Sequence, residues 1–180
     1  MAITRLNNNS ITSITALPFD TGITVAEEWV LTSNKTSAGD ITANLARSTL
    51  TGGGNINAGI TESSGVFTFP STGIWSILFY PVLEEGNQNS DDGIVRPIIK
   101  ITTNNSSYVD AARTQEGLAG STAIEFSGSN VVSFMFDVTD TSTHKCKFSI
   151  SSLSTNDRLL GNTASSLQMT KFQFIRLGNT

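Results

Sequence analysis

The sequence predicts an all-β, antiparallel sandwich, and three observations carry that prediction. Apolar residues recur at every second position in short runs such as Lys145 to Ile150, turn-forming residues separate the runs, and Ser, Thr and Asn stand where charge is usually found. Of 180 residues 38% are hydrophobic but only 14% are charged, against about 25% in an average soluble domain. Ser and Asn compete with the backbone inside helices and suit turns, while Thr suits strands, so this bias favours short strands over helices. The length fits one domain with one core.

Residues 1–20 set the apolar anchors Ile3, Leu6, Ile11, Ile14 and Leu17 within an Asn and Ser run that ends at Pro18. This reads as an extended N-terminal arm or as a first strand laid on the domain. The domain itself is expected over 21–180. Residues 23–32, with Val25, Trp29, Val30 and Leu31, begin a sheet. Residues 41–50 space Ile41, Leu45 and Leu50 as a helix would, but Thr42, Asn44, Ser48 and Thr49 oppose a helix, and Gly52-Gly53-Gly54 ends the segment. An irregular segment or a short strand is expected there.

Residues 66–82 carry the clearest signal. Val66 to Phe69 is a strand, Pro70-Ser71-Thr72-Gly73 fits a tight type I turn, and Ile74 to Tyr80 is a second strand. Strand side chains alternate, so Trp75, Ile77 and Phe79 share one face and Ile74, Leu78 and Tyr80 the other. Both faces are apolar. Such a strand lies under cover on both sides, either within its own chain or against another subunit.

Glu84 to Gly93 reads as a polar turn, Ile94 to Ile101 as a strand, Asn104-Asn105 as a turn and Tyr108 to Gly120 as a polar loop. Ala123 to Phe126 starts another strand. In the next, Val132, Phe134, Phe136 and Val138 face one way and Val131, Ser133, Met135 and Asp137 the other. Cys146, Phe148 and Ile150 point inward opposite Lys145, Lys147 and Ser149, and Met169 to Leu177 closes the domain with Phe172 and Phe174 opposite Ile175 and Leu177. Eight to ten short strands without a helix or an internal repeat make a sandwich or jelly roll.

The run Gly65-Val-Phe-Thr-Phe-Pro-Ser-Thr-Gly-Ile-Trp75 resembles the strand-turn-strand signature of the jelly-roll family that includes the complement globular heads and tumour necrosis factor. Thr170-Lys-Phe-Gln-Phe-Ile-Arg-Leu-Gly178 is similar to that domain's terminal strand. The opening Met1 to Ile11 and the closing Phe174 to Gly178 also resemble virion structural proteins of marine bacteriophages. The first resemblance implies a compact homotrimer with aromatics around the three-fold axis, to which Phe134, Phe136, Phe172 and Phe174 would contribute. An ordinary intrachain core would use the same four residues. The chain departs from the secreted animal members in lacking a signal peptide and a collagen-like repeat, so neither a cytokine nor a complement role is expected.

Charge excludes other partners. A net charge of −4, with 11 Lys and Arg scattered from Arg5 to Arg176, offers no basic surface for nucleic acid. The longest apolar stretch, Ile74 to Leu83, is broken by Ser76 and Pro81 and is short of the ~20 residues of a membrane span. With no apolar signal core at the amino terminus and Cys146 alone, folding in a host cytoplasm is expected. The sequons at Asn8, Asn34, Asn104 and Asn105 are then chance matches.

The chemistry-bearing residues are few. His144 is the only histidine, and no Gly-x-Ser-x-Gly elbow accompanies it. His144 and Cys146 supply two zinc ligands where a structural site needs four, which would require a site shared between chains. Asn87 to Gly93 has oxygen ligands but neither the spacing nor the bidentate Glu of a calcium loop. Gly52-Gly53-Gly54-Asn55 lacks the Lys and the helix of a phosphate cradle. Glu27, Glu28, Asp137 and Asp140 read as surface charge.

No enzyme, cofactor or metal is therefore expected. The expected function is that of a virion-surface trimer, a capsid decoration attached by its arm to the major capsid protein or a tail component. The alternative is a tail-fibre tip whose loops, such as Asn104 to Gly120, hold host surface glycans.

Overall fold

Period-two alternation builds two sheets whose apolar faces meet. The computed structural model describes residues 22–85, 91–119, 127–154 and 157–180. The arm with Ile3, Leu6, Ile11 and Ile14, most of the Asn87 to Gly93 loop and the expected strand Ala123 to Phe126 lie outside them.

The described strands are β1 (Ala26–Leu31), β2 (Gly39–Asp40), β3 (Leu45–Arg47), β4 (Thr61–Ser63), β5 (Val66–Thr68), β6 (Gly73–Tyr80), β7 (Leu83–Glu84), β8 (Asp91–Thr102), β9 (Val109–Arg113), β10 (Glu116–Ala119), β11 (Ser127–Gly128), β12 (Val132–Val138), β13 (Lys145–Ser151), β14 (Arg158–Leu159) and β15 (Lys171–Gly178). Seven of these are only two or three residues long, too short to show alternation, which is why they exceed the eight to ten expected from it. The first sheet has the order β12-β6-β15-β1-β3. The second runs β10-β8-β13-β5-β4, with β9 on β8 and β2 on β13, and β11-β7-β14 forms a small third sheet. Every described pairing is antiparallel. First and last strands pair through Trp29 and Phe172.

The turn Pro70 to Gly73 turns out to be a corner. β5 pairs with β4 and β13 in the second sheet, while β6 pairs with β12 and β15 in the first. The chain crosses the core's edge there, so Phe69 before the corner meets Trp75 after it at 5.1 Å between ring centroids. Gly73 has φ 139°, and a Cβ on it would overlap the Gly178 carbonyl oxygen and the Arg176 side chain. Gly73→Ala is expected to cost about 1–3 kcal/mol, read as a lower urea midpoint; a change within about 0.5 kcal/mol, the range of neutral surface substitutions, would disprove the strain.

Phe67 is the hub of the core. Fully buried, it lies 5.4 Å from Trp29, 5.3 Å from Phe148 and 5.1 Å from Phe174. Phe172 stacks on Phe79 at 5.0 Å and meets Phe148 at 4.5 Å. Of the four phenylalanines assigned to a trimer core, Phe136, Phe172 and Phe174 are buried inside the sandwich and Phe134 packs against the same cluster half-buried. The cross-strand register dictates this: Phe134 and Phe174 both oppose Ile77, so they share its inward face. The single chain's own core thus holds three of them fully and Phe134 in part, as the intrachain alternative expects.

Tyr108 to Gly120 also departs from its reading as a loop, because β9 and β10 both pair along β8. Val109 and Asp110 are exposed and the rest of β9 is at most half-buried. A strand with so little burial shows no apolar alternation, so the sequence signal is absent. Residues 41–50 resolve into the short β3, and Asn44 at φ 60° stops any helix there.

Candidate functional site

The two sheets differ in what they show on the side away from the core. On the second sheet, Asp40 binds Lys100 at 3.0 Å and Lys147 at 3.6 Å, and Lys147 lies 4.3 Å over the Tyr108 ring. Burial alone would raise the Asp40 pKa, but the Lys100 hydrogen bond and charge, with Ser149 and Lys147, hold it below the ordinary carboxylate value. That face is ion-paired and polar.

The first sheet's outer face mixes apolar side chains with a few polar ones and can be read row by row from its register. One row is Met135, Ser76, Ile175 and Ala26, and the next is Ser133, Leu78, Gln173 and Glu28. Tyr80 and Lys171 oppose each other in the third, and Ile74 lies beside Asp137 at the far end. Met135 is 68% exposed, whereas Ile74, Leu78, Tyr80 and Ile175 are half-buried. Polar groups on this face satisfy one another: Tyr80 Oη donates to Gln173 Oε1 (3.1 Å), Gln173 Nε2 donates to Glu28 Oε2 (2.8 Å), and Lys171 Nζ pairs with Glu28 Oε2 (3.2 Å).

At the β1 edge this face sinks into a cleft of about 280 Å³ between Ala26, Glu28, Gln173 and Ile175 on one side and Ser48, Gly53 and Gly54 on the other. The glycine turn therefore forms a wall. The turn is held locally, with Gly53 N donating to Leu50 O at 2.9 Å. The sequence gives no signal for this cleft, since its lining comes from three separate segments, at Ala26 to Glu28, Ser48 to Gly54 and Gln173 to Ile175.

Glu27 needs the largest correction among the chemistry-bearing residues. Expected at the surface, it is 3% exposed. Its inward neighbours Trp29 and Leu31 follow at every second position, and the carboxylate faces the core with them. Oε1 accepts from the amides of Gly59 and of Ile60 (2.6 Å), and Oε2 from Arg47 Nε (2.9 Å) and Trp29 Nε1 (3.4 Å). Arg47 also donates to the Ile60 carbonyl and lies 4.8 Å over the Trp29 ring. The group is a structural pin between β1, β3 and the segment before β4.

His144 stacks on Phe136 at 5.6 Å, and its two ring nitrogens bind the hydroxyls of Thr139 (3.2 Å) and Thr143 (3.0 Å). Cys146 is fully buried, which pushes its thiol pKa far up. Among the described residues no group of three or more His, Cys, Asp and Glu side chains could hold a metal ion. Asn104, proposed to lie in a glycan-holding loop, spends its Oδ1 on the amides of Ser106 (3.0 Å) and Ser107 (2.9 Å) and on the Thr102 hydroxyl (2.9 Å). Its acceptor closes a local turn.

No family model and no curated protein matches the chain. Solved structures do match, 172 chains of them. One is the Eiger TNF from S. frugiperda, 8% identical, with a TM-score of 0.61 over 87% of this chain and 94% of that one. At that identity the likeness is one of architecture, and it agrees with the antiparallel sheets and the core described above. This chain has a tumour necrosis factor-like jelly-roll fold.

Proposed function

We propose that this chain is a non-catalytic structural and binding module that assembles as a homotrimer through the outer face of its first sheet. Its place, in this proposal, is the surface of a virion, as a capsid decoration held to the major capsid protein or a tail component by residues 1–20. The observation that carries the trimer is that outer face. It sets Met135, Ile74, Leu78, Tyr80 and Ile175 on one surface, and its charges are the mutually paired Glu28 and Lys171 and the lone Asp137. A highly exposed Met135 among half-buried apolar side chains fits a contact surface, and depletion of free charge is typical of the centre of an interface.

The family resemblance of Gly65 to Trp75 supports the trimer, and the resemblance of the two chain ends supports the virion. The engagement of both His144 nitrogens by threonine hydroxyls favours a non-catalytic role, because neither is paired with a carboxylate.

Light scattering on the purified chain should give three times the 19.1 kDa chain mass. A clean monomer would overturn the trimer. Deletion of residues 1–20 is expected to abolish binding to phage particles while leaving the trimer folded, and unchanged particle binding would remove the arm from the proposal. Saturable hits on a glycan array would move the protein from capsid decoration to a tail-fibre tip.

A further inference from the structure

From the row geometry of the outer face we infer that Met135 of each copy seats in the cleft of the next, between Gly53-Gly54 and Ile175. This rests on the trimer proposed above and specifies its contact. A ring of three identical chains closes through a heterologous interface, so two different patches on one molecule must fit each other. The first sheet carries such a pair. Met135 is the most exposed large apolar side chain on that face, and it stands on the edge strand β12. The cleft lies past β6, over β15 and β1 toward the other side of the sheet.

The two are also at one height. Met135 opposes Ser76, Ser76 opposes Ile175, and Ile175 opposes Ala26, so the knob and the cleft walls occupy a single row across four strands. Rotation about an axis running along the strands preserves height, and it carries Met135 of one copy to the level of Ile175 and Ala26 in the next. Ser76 and Ala26 are the small members of the row. The cleft, at about 280 Å³, is too large for one water, which takes only about 30 Å³. Methionine is also the side chain best able to fit an irregular hole.

Charge and area agree with this occupant. A second copy docked here meets a face whose Glu28 and Lys171 already neutralise each other. Four strands spaced ~4.8 Å and about eight residues long present roughly 500 Å² of flat sheet, and side-chain relief raises the accessible area toward the ~800 Å² per partner of a stable interface.

The test compares wild-type protein with Met135→Glu by light scattering, and oxidises the double variant Met135→Cys, Ile175→Cys with copper phenanthroline. Met135→Glu is expected to convert the trimer to a monomer with an unchanged far-UV spectrum, since the site is exposed in the single chain. The cysteine pair is expected to give covalent trimers on a non-reducing gel, reversed by reductant and absent from each single variant. Within one chain the two positions are two strand spacings apart, ~9.6 Å, beyond the ~7 Å that a disulfide spans. Cys146 is fully buried and does not compete. A trimeric wild type whose Met135→Glu variant stays trimeric and whose cysteine pair does not cross-link overturns this contact and leaves the trimer standing. A monomeric wild type overturns both.

Discussion

Glu27→Ala is expected to lower the folding free energy by about 3–5 kcal/mol, the cost of breaking a buried, hydrogen-bonded charge pair from one side. The substitution strips an acceptor from the amides of Gly59 and Ile60 and a counter-ion from Arg47. The amide of Ile60 belongs to a fully buried residue, so water does not readily replace the carboxylate. Arg47→Ala is expected to cost less, because the Glu27 carboxylate it leaves behind keeps the amides of Gly59 and Ile60 and the Trp29 indole as donors. Glu27→Gln keeps one acceptor oxygen and should fall between the two. Urea unfolding at fixed protein concentration measures all three, and a Glu27→Ala loss near or below ~1 kcal/mol, the range of an exposed ion pair, would show that the pair is not the pin described here.

Phe67→Ala is expected to cost a further ~3–5 kcal/mol on its own, as large-to-small changes of fully buried aromatics do. Phe67 touches rings from both sheets: Trp29 and Phe174 from the first, Phe148 from the second. The cavity left behind has rigid aromatic walls and little chance to collapse, which places the cost toward the upper end of that range. For a chain of this length each kcal/mol moves the melting temperature by about 2–4 °C, so a drop of about 6–20 °C is expected by calorimetry. Val109→Ala, at a position 59% exposed, serves as the comparison and should stay within about 0.5 kcal/mol. Similar losses at both positions would contradict the placement of the core.

What could be read from the sequence was local. Alternation in β6, β12, β13 and β15 assigns each residue its face because strand side chains alternate whatever the strand pairs with. Trp75, Ile77 and Phe79 share one face and so do Phe172 and Phe174, as the pattern requires, and the structure turns those faces to the core. Met135 and Ile175 fall on the outer face for the same reason. The signal failed where burial is slight, as in β9, and where a charged residue occupies an inward position, as at Glu27. Alternation by residue type cannot register a carboxylate whose partners lie at Arg47, Gly59 and Ile60.

The amino-acid sequence by itself determined the strongly alternating strands, the two faces of each, the turn at Pro70 to Gly73 and the Ser, Thr and Asn bias that marks this protein as all-β. Only the tertiary structure decided that β5 and β6 lie in different sheets, that the phenylalanines fill one chain's core, and that Gly53 and Gly54 face Gln173 and Ile175 across a cleft. The physical reason is distance along the chain. A strand's alternation repeats every two residues, but its partner is chosen by closure of loops up to the span from Trp29 to Phe172, and no local pattern encodes that choice.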